Sequence, residues 1–461
     1  ARLPDDPPNK RWEGVAERIE LERVGLRFSQ GFKSKYLPNT RLEVSFVLPR
    51  SGLRLFHQGL ELVSKQLDGN MLLRPQVLFP EPVDLQTLVT PRNLTPQPLF
   101  NRTLNAEQVA GVRNICGGAA RCVPYVLFGP PGTGKTTTLV EAILQCAIKL
   151  NPTAPPYNRF RILVVAPTNT AADFVTQKLV SRLNTKSQLL RLVAYSRQKN
   201  DILFPEVLAR SNWDDVEQAF PMPTLDELLK PCVVVATLNT ASKLYNQGVP
   251  RGHFDMICVD EAGQAIEPEA VAPVAAMLGE SGQLVLAGDP KQLGPVIHHS
   301  LAKTHGLSVS LLERLMERPL YRPTQRAAGD GMQYDQRIIT KLLDNYRSHP
   351  TLLELPNRLF YDGELRAKAA GDILVNSMLT WEGLPALGVP LLFDGIVGKD
   401  QREASSPSWF NADEAMAVLQ HVKDVLSFRQ SRVQPEDIGI ITPYNKQVGK
   451  IRSLLRAEQH V

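Results

Sequence analysis

The stretch Gly129-Pro130-Pro131-Gly132-Thr133-Gly134-Lys135-Thr136 restricts the fold more than any other, because an apolar run at 125–128 precedes it and a helical pattern follows. Leu139, Ala142, Ile143, Cys146 and Leu150 recur at three- and four-residue spacings, so the local order is strand, loop, amphipathic helix. Glycines let successive backbone N–H groups converge on one point, and the helix that follows presents its positive end there. That is the geometry of a phosphate-binding loop. Lys135 would supply a mobile charge to the β- and γ-phosphates of a nucleotide, and Thr136 a hydroxyl to Mg²⁺.

A strand leading into such a loop belongs to an α/β layer, and the surrounding pattern agrees. Compact apolar runs at 125–128, 162–166, 233–236, 256–259 and 284–287 lack polar alternation and are separated by helical or loop segments. They read as parallel strands buried on both faces of one domain spanning 104–320. Residues 195–230, with Pro205, Trp213, Pro221 and Pro223, are too many for a simple connection and read as a surface insertion. Upstream, Ile19 and Leu21, then Val24, Leu26 and Phe28, then Leu42, Val44 and Phe46 show period two, which predicts a small β-barrel over 1–74. Prolines 75, 80, 82, 91, 96 and 98 make 75–103 a connector. A polar stretch at 321–337 reads as a linker. Apolar runs at 338–339, 391–393 and 438–441 then predict a second, incomplete α/β domain over 338–461.

With 461 residues, 43% hydrophobic and 21% charged, the chain has material for more than one core. No apolar run approaches the roughly twenty residues that span a bilayer, and the first ten are polar and Pro-rich, unlike a signal peptide. No membrane role is expected. Five cysteines without a C-x-x-C pair suggest reduced thiols in the cytoplasm. A formal charge of +5 permits an anionic polymer partner but does not require one.

Asp260 and Glu261 directly follow the run at 256–259, so both carboxylates would emerge at a strand's C-terminal end, where such sheets hold ligands. Asp260 would hold Mg²⁺ and Glu261 would orient and deprotonate an attacking water. The run at 284–287 ends in a Gly-Asp-Pro-Lys-Gln-Leu turn, whose Gln292 could sense a γ-phosphate. Gln108, just upstream of the loop, has an amide able to pair with adenine.

Taken in order, Gln108, GPPGTGKT, APTNTAAD at 166–173, Thr237, DEAG, GDPKQLGP, NYRSHP at 345–350 and ITPY at 441–444 resemble superfamily 1B helicases. The longer strings LLDNYRSHP, LPNRLFYDGEL, SPSWFN and ITPYNKQVGKIR resemble the nonsense-mediated-decay helicase group, most of all its Moloney leukaemia virus 10 and Armitage branch. The resemblance implies an α/β architecture of two RecA-like P-loop domains behind a small β-barrel, with ATP between the domains. It further implies 5′-to-3′ translocation on single-stranded RNA, a role in small-RNA silencing or RNA turnover, small-RNA silencing proteins as partners, and cytoplasmic ribonucleoprotein granules. By the same carry-over Tyr346 would lie near adenine and Arg347 would act as an arginine finger delivered from the second domain. Thr168, Asn169, Thr237, Thr442, Pro443 and Tyr444 would line the RNA path, as small polar or aromatic groups at strand ends can. The family's later Gln-Gly and Arg motifs do not occur before Val461, so the expectation is a piece of a longer protein. The alternative is an ATP-gated RNA clamp or scaffold without motor activity.

Overall fold

A computed structural model describes residues 2–4, 6–7, 10–47, 50–67, 78–82, 98–118, 120–121, 123–149, 160–325 and 332–458. The chain divides into two compact units, one of residues 50–348 with 356–368, the other of 1–49 with 349–355 and 369–461.

The first unit is built on a seven-stranded parallel sheet. Its strands in chain order are Tyr125–Phe128 (β1), Ile162–Ala166 (β2), Leu189–Leu192 (β3), Val233–Thr237 (β4), Phe254–Val259 (β5), Leu278–Gly288 (β6) and Ile339–Lys341 (β7). Their order across the sheet is β7-β1-β6-β5-β2-β4-β3. All the apolar runs read as strands of the first domain are present in it, buried as both-face burial requires. The helices Ser51–Leu67 (α1), Ala106–Gly117 (α2), Lys135–Leu144 (α3), Asn169–Val180 (α4) and Glu267–Met277 (α5) belong to the same unit. Helix α2 starts at a reciprocal capping box between Asn105 and Gln108 and stops at Gly118, whose φ of 64° suits the glycine found there.

The run at 338–339 departs from the boundary expected for the second domain. It enters the first sheet as β7, in parallel register with β1 (Ile339 opposite Val126), and Tyr125 and Thr340 share a buried hydroxyl contact of 2.5 Å. A segment so placed carries the residues that follow, 344–348, over the phosphate loop rather than into another domain. The runs at 391–393 and 438–441 form no strand, and Phe393 and Ile441 are almost fully exposed. A buried parallel strand needs a neighbour on each edge, and the described residues supply none there.

Residues 51–67 are also corrected. The period-two reading placed them in the barrel, but they form α1, whose buried positions 55 and 59 and half-buried 52, 56, 62 and 63 follow a helical period. Gly59 lets α1 lie against α5, since a Cβ there would come 2.6 Å from the Ala272 Cα. The described residues show no barrel. In the second unit Gly14–Ile19 pairs with Val24–Phe28 as one antiparallel hairpin, while Glu43 makes only an isolated bridge to Arg2. Phe32 centres an aromatic cluster beside it, 4.1 Å from Phe28 and 5.7 Å from Trp12 between ring centroids. The C-terminal part of this unit is a second hairpin, Asp400–Glu403 with Ser406–Asn411, and the helices Ala412–Ser427 and Asn445–Ala457. Asn411 caps the first of these helices and exchanges two hydrogen bonds of 2.9 and 3.0 Å with Gln447 of the other.

The insertion is a packed element: Val193, Ile202, Val207 and Phe220 form their own small core. Most of the connector at 75–103 and six residues of the linker at 321–337 lie outside the described residues. Among the described residues no helix is long and apolar enough to cross a membrane.

Candidate nucleotide site

Strand β1 delivers the chain into the phosphate loop and α3 carries it away. Gly132 and Gly134 have φ of 74° and 86°, values that L side chains rarely adopt, and Gly134 is the residue before the first helical turn. Beyond backbone strain, a Cβ on Gly132 would lie 2.6 Å from the Arg347 Cβ. The Thr133 hydroxyl donates to the Pro130 carbonyl at 2.8 Å, closing the loop on itself. The buried Lys135 ammonium donates to the Gly129 carbonyl at 2.6 Å. Burial lowers its pKa, a like charge on Arg347 acts the same way, and Glu261, Asp289 and Asp260 oppose both.

The acidic pair stands at the end of β5. Asp260 is 2% exposed, accepts the Thr136 hydroxyl at 3.2 Å, and has its pKa pushed up to about 6, mainly by burial and then by Glu261. Glu261 has a left-handed backbone, φ 53°, which is uncommon outside glycine, and it lines the cleft. From the end of β6, buried Asp289 accepts the Lys291 N–H and the Gln292 amide, each at 2.9 Å.

Residues 344–348 pack on the loop from the other side. The Tyr346 N–H donates to the Gly132 carbonyl at 2.9 Å, and its hydroxyl accepts the Asn105 amide at 3.0 Å. Asn345, 1% exposed, donates to the Pro131 carbonyl at 2.7 Å and accepts the Arg347 and Ser348 N–H groups at 3.0 and 2.8 Å. Arg347 thus stands in the same compact unit as Lys135, not on an opposing domain as expected. Together Gln108, Pro130, Pro131, Gly132, Gly134, Lys135, Thr136, Glu261, Gln292, Tyr346 and Arg347 line one cleft of about 530 Å³. Gly129 and Thr133 shape its loop, and Asp260 lies beneath it through Thr136.

Gln108 departs from expectation in its partners. Its amide oxygen accepts the Asn105 N–H and its amide nitrogen donates to the Thr133 carbonyl, both at 3.0 Å. The side chain therefore braces the loop, leaving one N–H of the amide for a base. Three groups were missed. Asn345 stood inside a motif whose neighbours drew the attention; Asp289 stood in a turn read only for its glutamine; Glu141 is a buried carboxylate in α3 that accepts the Phe100 and Asn101 N–H groups at 2.8 and 3.0 Å, fixing the strap that edges the cleft. Asn345 and Asp289 stood within motifs that could have drawn them in; Glu141 carried no local signal.

The residues present fit a Mg²⁺-nucleotide. A hydroxyl and a carboxylate are hard oxygen donors, and Mg²⁺ takes few protein ligands beside phosphate and water. The glycine cradle leaves no room for side chains, as a Cβ on Gly129 would meet Thr133 Oγ1 at 2.6 Å.

Thr168, Asn169 and Thr237 come together at the ends of paired strands, with Ala166 of β2 opposite Thr237 of β4. The Thr168 and Thr237 hydroxyls cap the helices that follow them. Asn169 accepts the Arg191 guanidinium at 2.9 Å, and buried Arg191 pairs with Asp173 at 2.9 Å. Burial lowers the Arg191 pKa to about 10 against the pull of Asp173. Thr442, Pro443 and Tyr444 belong to the other unit, where Tyr444 is exposed just before the last described helix.

Two family models, each described as an AAA domain, match this chain, one over 103–217 and 209–300 and the other over 307–461. The chain is 41% identical over 460 residues to mov-10-B.1 of Danio rerio, which covers 98% of this chain and 43% of that protein. It is 44% identical over 358 residues to RNA helicase Mov10l1 of Homo sapiens, covering 77% of this chain and 28% of that one. Against armi of Drosophila melanogaster the identity is 33% over 479 residues, covering 98% and 39%. The chain spans less than half the length of each of these relatives. On the matched AAA domains and these relatives, the chain belongs to the MOV-10, Mov10l1 and Armitage family of helicases.

Proposed function

We propose that this chain is the core of an ATP-dependent RNA helicase that moves 5′-to-3′ on single-stranded RNA in small-RNA silencing or RNA turnover, within cytoplasmic ribonucleoprotein granules. The observation that carries the ATP reading is the convergence, in one cleft, of Lys135, Thr136 with Asp260, Glu261, Gln292 and Arg347. The loop N–H groups and Lys135 hold the β- and γ-phosphates. Glu261 takes the proton of the attacking water, and Gln292 and Arg347 face the oxygens on which charge builds. Thr136 and Asp260 would hold Mg²⁺, which would supply charge neutralisation at the phosphates. Thr168, Asn169 and Thr237, with Thr442, Pro443 and Tyr444, offer the hydroxyl, amide and aromatic groups that grip a strand without reading its sequence. The names carried by the relatives support RNA as the polymer.

The test compares Lys135→Ala with Glu261→Gln in the full-length protein. Loss of the lysine removes charge-assisted contacts of about 1.5–3 kcal/mol, so ATP binding should weaken roughly 10- to 100-fold. The glutamine variant should keep ATP affinity and lose turnover by about 10²–10⁴. Equal loss of affinity in both contradicts the assignment.

A further inference from the structure

Tyr361, in the string LPNRLFYDGEL, has no part in the chemistry above, yet it is 5% exposed and its hydroxyl donates to Asp289 Oδ2 at 2.8 Å. The same carboxylate oxygen accepts the Gln292 amide at 2.9 Å, while Oδ1 accepts the Lys291 N–H at 2.9 Å. The segment bearing Tyr361 is fixed independently. Asn357 exchanges hydrogen bonds of 2.9 and 3.1 Å with Leu365, and Arg366–Ala367 pairs in parallel with Asp344–Asn345, next to Arg347.

Resting on the ATP-hydrolysis reading, we propose that Tyr361 is a positioning residue for hydrolysis, holding Asp289 and through it the Gln292 side chain at the nucleotide cleft. A carboxylate only accepts, so with Asp289 held in place Gln292 must turn its NH₂ towards it. That fixes the amide's flip and leaves one N–H and the oxygen with defined directions at the cleft. Burial and the neighbouring Asp289 both push the Tyr361 pKa upward, so the phenol stays a donor. The Asp289 backbone carbonyl lies beside the turn that carries Glu261, 2.9 Å from where a Cβ on Gly263 would be. One hydroxyl from the segment after Arg347 thereby holds Gln292 in register with the strand pair that leads into the arginine. A merely structural tyrosine would affect stability and leave the kinetic partition alone.

The experiment measures kcat and KM for ATP hydrolysis with single-stranded RNA, and ATP affinity, in the full-length protein. Tyr361→Phe keeps the ring and removes the hydroxyl; kcat should fall about 10- to 100-fold, the range of a hydrogen bond to a charged group, with ATP affinity within about twofold. Asp289→Asn, which lets the Gln292 amide turn over, should show the same split. In a Gln292→Ala background, adding Tyr361→Phe should change kcat by less than about twofold, because its effect passes through Gln292. An unchanged kcat in Tyr361→Phe, or an equal loss in the Gln292→Ala background, overturns the inference and leaves the hydrolysis reading standing. Absence of turnover in the wild type overturns that reading and this inference with it.

Discussion

Replacing Asn345 by alanine should loosen the phosphate loop and Arg347 together. The side chain makes three hydrogen bonds, to the Pro131 carbonyl and from the Arg347 and Ser348 N–H groups, at 2.7, 3.0 and 2.8 Å, from a position that is 1% exposed. At about 0.5–1.5 kcal/mol net for each bond, and with their partners left in a poorly hydrated place, opening of 344–348 should become easier by about 2–4 kcal/mol. That corresponds to amide exchange roughly 30- to 1,000-fold faster, since 1.36 kcal/mol is a factor of ten. Hydrogen exchange read on peptides covering 343–349, alongside steady-state ATP hydrolysis, tests both links. Exchange should accelerate there and not in β2 or β4, and kcat should fall with Arg347 misplaced. Asn345→Asp keeps the acceptor but sets a carboxylate against the Pro131 carbonyl. It should retain protection of the Arg347 and Ser348 amides and still weaken the loop. Unchanged exchange at 343–349 in Asn345→Ala would refute the reasoning.

Arg347→Ala should lower kcat by about 10³ or more, as loss of a charge-stabilising arginine does, with a much smaller change in ATP affinity; a kcat within about twofold of wild type contradicts its role. RNA affinity should fall with a log-log salt slope of roughly −0.7 per neutralised phosphate and differ little between mixed sequences; salt-insensitive binding to one sequence would sink the backbone-grip reading. His253 has its pKa lowered to about 4, by burial first and then by Arg161. The unfolded chain therefore binds the extra proton between about pH 6.5 and 4, and stability should drop as pH falls through that window. His253→Phe should flatten the midpoint-versus-pH curve there, and an equally steep curve argues against the assignment.

The first sheet was legible because both-face burial leaves uninterrupted apolar runs, and the phosphate loop because its glycines and lysine must be adjacent in sequence. Strand β3 was not, since its Leu-Leu-Arg-Leu contains an arginine that is acceptable inside because Asp173 and Asn169 of α4 and the Leu192 carbonyl accept its donors. The destination of 338–339 depended on a parallel partner more than 200 residues away, which no local pattern encodes. Residues 51–67 contain leucines that satisfy period two in part, but their burial follows a helical period, and Gly59 lets that helix lie against Ala272. At the site, the residue types with a diagnostic spacing were found, while Asn345, Asp289 and Tyr361 act through contacts made only after folding. Gln108 shows the converse, a residue found for the right place whose amide is largely occupied in bracing the loop.

The central claim, that this cleft hydrolyses ATP in response to RNA, is tested most directly by steady-state ATP turnover of the full-length protein with and without single-stranded RNA, in wild type and in Glu261→Gln. The account expects turnover that rises with RNA in the wild type and is lost in the variant despite retained ATP binding. Turnover indifferent both to RNA and to Glu261→Gln would contradict it.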